Sequence, residues 1–141
     1  MISELRTHIT QVATVYIPVT DQDRALEFYV GTLGLEKRAD FRYADDARWV
    51  EVAPPGATTQ ISLVPQREGR AAGIETGVAL NTGDVDAVHA DLRAGGADVD
   101  SAILRQGDPP ITWAGGVLAG IPPMFRVRDP DGNSLLIAAQ A

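Results

Sequence analysis

Residues 12–35 read VATVYIPVTDQDRALEFYVGTLGL, and this stretch decides the fold. Its first eight residues alternate: Ala13, Val15, Ile17 and Val19 fall on one side, and Val12, Thr14, Tyr16 and Pro18 on the other. That is the period-two pattern of a half-buried strand. Pro18 has no amide hydrogen to donate, so it places the strand end or the strand itself at a sheet edge. Asp21 offers a carboxylate to the free amides of a helix start. Ala25, Phe28, Tyr29 and Leu33 follow as one apolar helical stripe, and Gly34 can take the left-handed backbone that ends a helix.

Three strand-like runs come next, Glu36 to Tyr43, Ala47 to Ala53 and Thr59 to Val64, punctuated by Asp45 and by Pro54-Pro55-Gly56. A Gly-, Arg- and Glu-rich linker covers 66–73. The order then restarts. Thr76 to Thr82 alternates, Asp84 is a second capping residue, and Val85, Val88 and Leu92 form a second stripe closed by Gly95-Gly96. Ala97 to Leu104 reads as a strand, and Met124 to Arg128 with Ser134 to Ala139 reads as a hairpin around Asp129-Pro130-Asp131-Gly132-Asn133. Sliding the chain by 63 residues lays Asp21 on Asp84, Val15 on Val78 and Ile17 on Leu80. A match at half the chain length marks an internal duplication. The expected fold is α+β: two tandem βαβββ modules, about 11–65 and about 74–139, within a single domain of residues 1–141.

The chain has 141 residues with 12 Lys and Arg against 19 Asp and Glu, a formal charge of −7, and no cysteine. Thiolate metal sites and redox thiols are thereby excluded. An acidic chain lacks the basic patch that nucleic acid or an anionic membrane requires, so neither is an expected partner. No apolar run approaches the ~20 residues of a membrane helix. Met1 to Thr10 lacks the basic-then-apolar order of a secretion signal, and a cytoplasmic location is expected.

Alternation also sorts the strand faces. Ala13, Val15, Ile17, Ile61, Leu63, Val78, Leu80, Leu135 and Ile137 are expected to be core. The opposite faces carry Thr14, Tyr16, Gln60, Ser62, Gly77, Ala79, Asn81, Ser134, Leu136 and Ala138, joined by Trp49 and Glu51. This mixed face is neither apolar nor charged. It fits a curved, ligand-lined concavity or a face covered by a second chain.

These residues resemble the vicinal-oxygen-chelate superfamily of glyoxalases, bleomycin-resistance proteins and extradiol dioxygenases. The resemblance rests on Val15-x-Ile17-x-Val19-x-Asp21, Ala25-x-x-Phe28-Tyr29 and Leu33-Gly34-Leu35. Asp84-Val85-Asp86, Leu92-x-x-Gly95-Gly96-Ala97 and Phe125-x-x-x-Asp129-Pro130-Asp131-Gly132-Asn133 extend it over about residues 11–139. It implies two modules whose mixed sheets curve around a ligand cavity, and a homodimer. Metal-using members place one ligand on the first and one on the fourth strand of each module. By that resemblance the ligand positions hold Thr14, a residue near Gln60, Gly77 and Leu136. Such a set lacks the imidazoles and carboxylates a divalent metal takes, so no cofactor is expected. His8 precedes the first strand and His89 lies beside the second helical stripe, where a structural role is expected.

Other chemistry is sparse. Glu51 is a general base if it projects into a cavity, or a rim carboxylate if it pairs with Arg48, Arg126 or Arg128. The segment from Arg105 to Pro123, rich in Gly and Pro and carrying Trp113, is a lid or an interface segment. The expected ligand-binding residues are Tyr16, Trp49, Glu51, Gln60, Ser62, Asn81, Trp113 and Leu136. The resemblance is nearest the bleomycin-resistance branch and implies a metal-independent protein that captures a toxic natural product, planar aromatic or cationic. The alternatives are a metal-independent isomerase or cyclase with Glu51 as base, or a glyoxalase- or dioxygenase-like enzyme of the same fold.

Overall fold

In a computed structural model of the chain, residues 7–141 are described; Met1–Arg6, part of the stretch read for a secretion signal, lie outside them. Strand β1 (Thr14–Val19) passes through Thr20 to Asp21, whose carboxylate accepts the Arg24 amide at 3.0 Å and so starts α1 (Gln22–Leu26). The helix continues over Glu27–Thr32 with wider hydrogen bonds, such as Leu33 N–H to the Phe28 carbonyl. Phe28 and Tyr29 are thereby both turned inward, and Gly34 follows at φ 78°, the left-handed exit its position calls for. β2 (Glu36–Ala44), β3 (Ala47–Ala53) and β4 (Gln60–Pro65) complete a sheet of order β1-β4-β3-β2. β1 and β4 are parallel and the other pairs antiparallel. Pro18 is therefore tolerated because β1 is an edge strand.

The second half repeats the plan. β5 (Glu75–Thr82) leads to Asp84, which caps α2 (Val85–Ala94) through the Ala87 amide. β6 (Asp98–Val99), β9 (Met124–Arg128) and β10 (Ser134–Ala139) join it in the order β5-β10-β9-β6, the topological copy of the first sheet. Between β6 and β9 lies a separate hairpin, β7 (Ile111–Trp113) with β8 (Gly116–Leu118).

The architecture is mixed α+β, as expected, with two four-stranded mixed sheets. Three local expectations are corrected. The strand read over Ala97 to Leu104 is only β6 plus a single bridge from Leu104 to Met124, because Asp100 turns aside to take hydrogen bonds from Arg126 and Arg128. Ala13 precedes β1 and is exposed, although its carbonyl accepts the Gln60 amide. Ser62, Ser134, Leu136 and Ala138, assigned to the open faces, are buried.

One apolar cluster joins the halves. Ile17, Val50, Val52, Ile61 and Leu63 of the first sheet and Phe125, Val127, Leu135 and Ile137 of the second belong to it, with Phe28, Tyr29 and Leu92 from the helices. Burying each such side chain contributes about 1.5–3 kcal/mol. Polar bonds fix the seam. The Tyr29 hydroxyl donates to Asp129 at 2.8 Å, and Asn133 Nδ2 donates to both Asp129 and the Pro18 carbonyl at 2.8 Å. Asn133 Oδ1 accepts the amides of Gly73 and Ile74. The Asp129–Asn133 turn thus ties β1, the first helix and the linker together. Burial, aided by the neighbouring Asp129 carboxylate, pushes the Tyr29 hydroxyl far above its usual range.

Candidate functional site

Register places the first sheet's outer face. Thr14 sits beside Gln60, and Tyr16 beside Ser62, across the parallel β1–β4 pair. Ser62 in turn opposes Glu51 on β3, and Trp49, two residues earlier, opposes Phe41 on β2. Side chains at i and i+2 share a face. Tyr16, Phe41, Trp49, Glu51, Gln60 and Ser62 therefore form one surface, on the side of the sheet away from Val50, Val52 and Ile61. Tyr16 and Trp49 meet edge to face with ring centroids 5.8 Å apart. Tyr16 is 50% exposed and Phe41 54% exposed, so aromatic area is open on this face. Single exposed aromatics are ordinary; three on one sheet face are a surface for stacking.

A polar line runs beside the rings. Thr14 Oγ1 and Ser62 Oγ lie 2.6 Å apart, and Ser62 Oγ lies 3.5 Å from Glu51 Oε2. That last contact is long for a hydrogen bond. The three arginines considered as partners for Glu51 are engaged elsewhere. Arg48 donates two bonds to Asp40, at 2.8 and 2.9 Å, and one to Asp23 at 2.8 Å. The Arg48 hydrogen bonds hold the Asp40 carboxyl down to about 2. Arg126 and Arg128 both donate to Asp100 at 2.9 Å. Burial works to raise the Asp100 pKa, but these bonds, with one from the Arg126 backbone amide, outweigh it and hold the carboxyl below its usual range. Among the described residues Glu51 takes part in no ion pair.

The second sheet is built differently. The β7–β8 hairpin folds over its outer face, so that Trp113, 6% exposed, packs with Met124, Leu136 and Ala138 in a small apolar cluster. The indole N–H of Trp113 donates to Ser134 Oγ at 2.8 Å. The segment read as a lid or an interface segment is thus laid on its own sheet. Of the expected ligand residues, Tyr16, Trp49, Glu51, Gln60 and Ser62 come together; Trp113 belongs to the hairpin itself and covers Leu136. Asn81 stands on β5 at the edge of two adjoining clefts between the sheets, of about 490 and 330 Å³, bordered by Pro54 and Leu80. Phe41 is an aromatic that the sequence reading overlooked. The short turn between β2 and β3 was the available signal, since counting back from it sets Phe41 opposite Trp49. His89 Nε2 lies 2.7 Å from the Asp100 carbonyl, and its ring packs edge-on against Phe125, a structural placement.

The glyoxalase/bleomycin resistance protein/dioxygenase superfamily model matches residues 7–137. The chain belongs to that superfamily. Two superfamily-like structures cover it nearly end to end. TnmS3, an antibiotic binding protein from Streptomyces sp. CB03234, is 32% identical with a TM-score of 0.74 over 96% of this chain and 100% of its own. A glyoxalase/bleomycin resistance protein/dioxygenase superfamily member from Sphaerobacter thermophilus DSM 20745 is 34% identical with a TM-score of 0.75, covering 95% and 100%. The Bacillus subtilis (strain 168) protein YetH is 38% identical over 58 residues, which is 41% of this chain and 48%, about half, of YetH. The positions that the sequence resemblance assigns to metal ligands hold Thr14, a residue near Gln60, Gly77 and Leu136. Thr14 already bonds Ser62, Gly77 has no side chain and Leu136 is buried, so this set does not fit a divalent metal. Among the described residues no three His, Cys, Asp or Glu side chains are grouped to hold one. No helix among them is long and apolar enough to cross a membrane.

Proposed function

We propose that this protein is a metal-independent binder of planar aromatic natural products. It seats them against Tyr16, Phe41 and Trp49 and releases them unchanged. The observation that carries this reading is the open aromatic face beside a donor set that cannot hold a metal. TnmS3, similar over its whole length, is described as antibiotic binding, which supports the same class of function here. Capture works by mass action: stoichiometric binding lowers the free concentration of a toxic compound in the cytoplasm. A homodimer completes the site, because a single flat face would leave one side of a bound ring in water. The exposed edge strand β5 and the exposed ring of Tyr43 supply contact area. Light scattering at micromolar concentration is expected to give twice the chain mass.

The test is a titration with a planar polycyclic aromatic followed by mass analysis of the recovered ligand. Saturable binding with unaltered ligand is expected. Trp49→Ala should weaken it by about 1–3 kcal/mol, the loss carried by central aromatic anchors. A product formed over multiple turnovers would overturn capture.

A further inference from the structure

We propose that Glu51 makes this face selective for aromatic ligands that carry a protonated amine next to the ring plane. The inference rests on the binding face proposed above and names the charge of what it takes. Glu51 is half-buried on β3, between the Tyr16–Trp49 pair and the Thr14–Ser62 hydroxyls. Among the described residues its carboxylate has one hydrogen-bond contact, the Ser62 hydroxyl at 3.5 Å, and no ion pair. Other carboxylates contrast with this: Asp40 holds Arg48 in two hydrogen bonds, and Asp100 takes one side-chain bond from each of Arg126 and Arg128. A carboxylate left without a cation in this position is tolerated while water reaches it. Once a ligand covers the face, that water is displaced.

The consequence is a charge filter. A neutral ligand would bury an unpaired carboxylate, and an anion would add repulsion, so both are penalised. A ligand ammonium supplies the missing partner through a charge-assisted hydrogen bond, which is shorter and stronger than a neutral one. The faces of Trp49 and Tyr16 attract the same cation through their ring quadrupoles. Net charge of −7 raises the local concentration of cations as well, though that long-range effect is screened by salt. Discrimination that survives at high salt therefore belongs to Glu51 and the ring faces, and the part of it lost in Glu51→Gln belongs to Glu51.

Three fluorescent probes of one shape test this: 9-(aminomethyl)anthracene as the ammonium, 9-anthracenemethanol as the neutral analogue and anthracene-9-carboxylate as the anion. Their anisotropy is followed against the full chain and Glu51→Gln in 0.5 M NaCl, with light scattering on both proteins. The ammonium is expected to bind about tenfold tighter than the alcohol, as one charge-assisted contact with cation–π support allows, and the carboxylate weakest. In Glu51→Gln the ammonium-to-alcohol ratio is expected to fall to about twofold, the remainder being the attraction of the ring faces. Equal affinities in the full chain, or an ammonium preference that is undiminished in Glu51→Gln, overturn the role of Glu51 while leaving the aromatic face standing. A Glu51→Gln protein that changes mass with no change in probe preference assigns Glu51 to a subunit contact and likewise overturns it. Failure of all three probes to bind removes the face itself.

Discussion

Replacing Asn133 with alanine tests whether the seam between the two sheets holds the molecule together. The side chain is fully buried and makes four hydrogen bonds. Nδ2 donates to the Pro18 carbonyl and to Asp129 Oδ2, both at 2.8 Å, while Oδ1 accepts the Gly73 amide at 2.7 Å and the Ile74 amide at 3.0 Å. Each net bond contributes about 0.5–1.5 kcal/mol, and a buried group left unpaired costs more than the average bond. Asp129 keeps the Tyr29 hydroxyl and the amides of Asp131 and Asn133, so part of the network survives. The expected loss is about 3–4 kcal/mol, or roughly 10 °C in melting temperature for a chain of this size. Urea titration and thermal melting by circular dichroism at neutral pH read it directly. Asn133→Asp keeps the volume but sets a second carboxylate against Asp129, so it should lose at least as much at neutral pH. A loss below about 1 kcal/mol for Asn133→Ala would refute the seam as a source of stability.

Three further outcomes follow from particular contacts. Gly120 lies at φ 76°, and a Cβ there would sit 2.5 Å from the Arg105 carbonyl carbon, so Gly120→Ala should cost about 2 kcal/mol or more. It should also shift Trp113 emission to the red as the hairpin lifts; emission unchanged from the parent would contradict this. Asp100 and Asp40 have folded pKa values below the usual carboxylate value of about 4, so their stabilisation is complete above that pH. It is lost as pH falls toward about 2, where Asp40 titrates. Melting temperature should drop through that window, and Asp100→Asn should shallow the drop; a rise on acidification would contradict the sign. Acrylamide should quench Trp49 readily and Trp113 weakly, read from Trp113→Phe and Trp49→Phe proteins respectively; equal quenching would place the hairpin wrongly.

The fold was legible because its local signals agree. Asp21 and Asp84 cap the helices that their spacing from the two alternating strands announced, and Gly34 ends the first helix as its position required. The strand bounds of Ala47–Ala53 were readable from alternation alone. The second sheet's outer face was not. Alternation shows that Ser134, Leu136 and Ala138 share a face, but not that a hairpin twenty residues away in the chain covers it, since Trp113 reaches Ser134 only in three dimensions. The partner of Glu51 was misjudged for a related reason. Arg48, Arg126 and Arg128 are near Glu51 in composition and strand order, but register turns Arg48 to the opposite face, and Asp100 claims the other two. The Asp129–Asn133 turn read only as a turn, because its partners Tyr29 and Pro18 are about a hundred residues away in the chain.

A crystal structure of the protein soaked with 9-(aminomethyl)anthracene tests the central claim most directly. The ring system is expected in contact with Trp49 and Tyr16, chemically intact, with its amine within hydrogen-bonding distance of Glu51. Density for the probe in the clefts bordered by Pro54 and Leu80, with the Tyr16–Trp49 face bare, would contradict it.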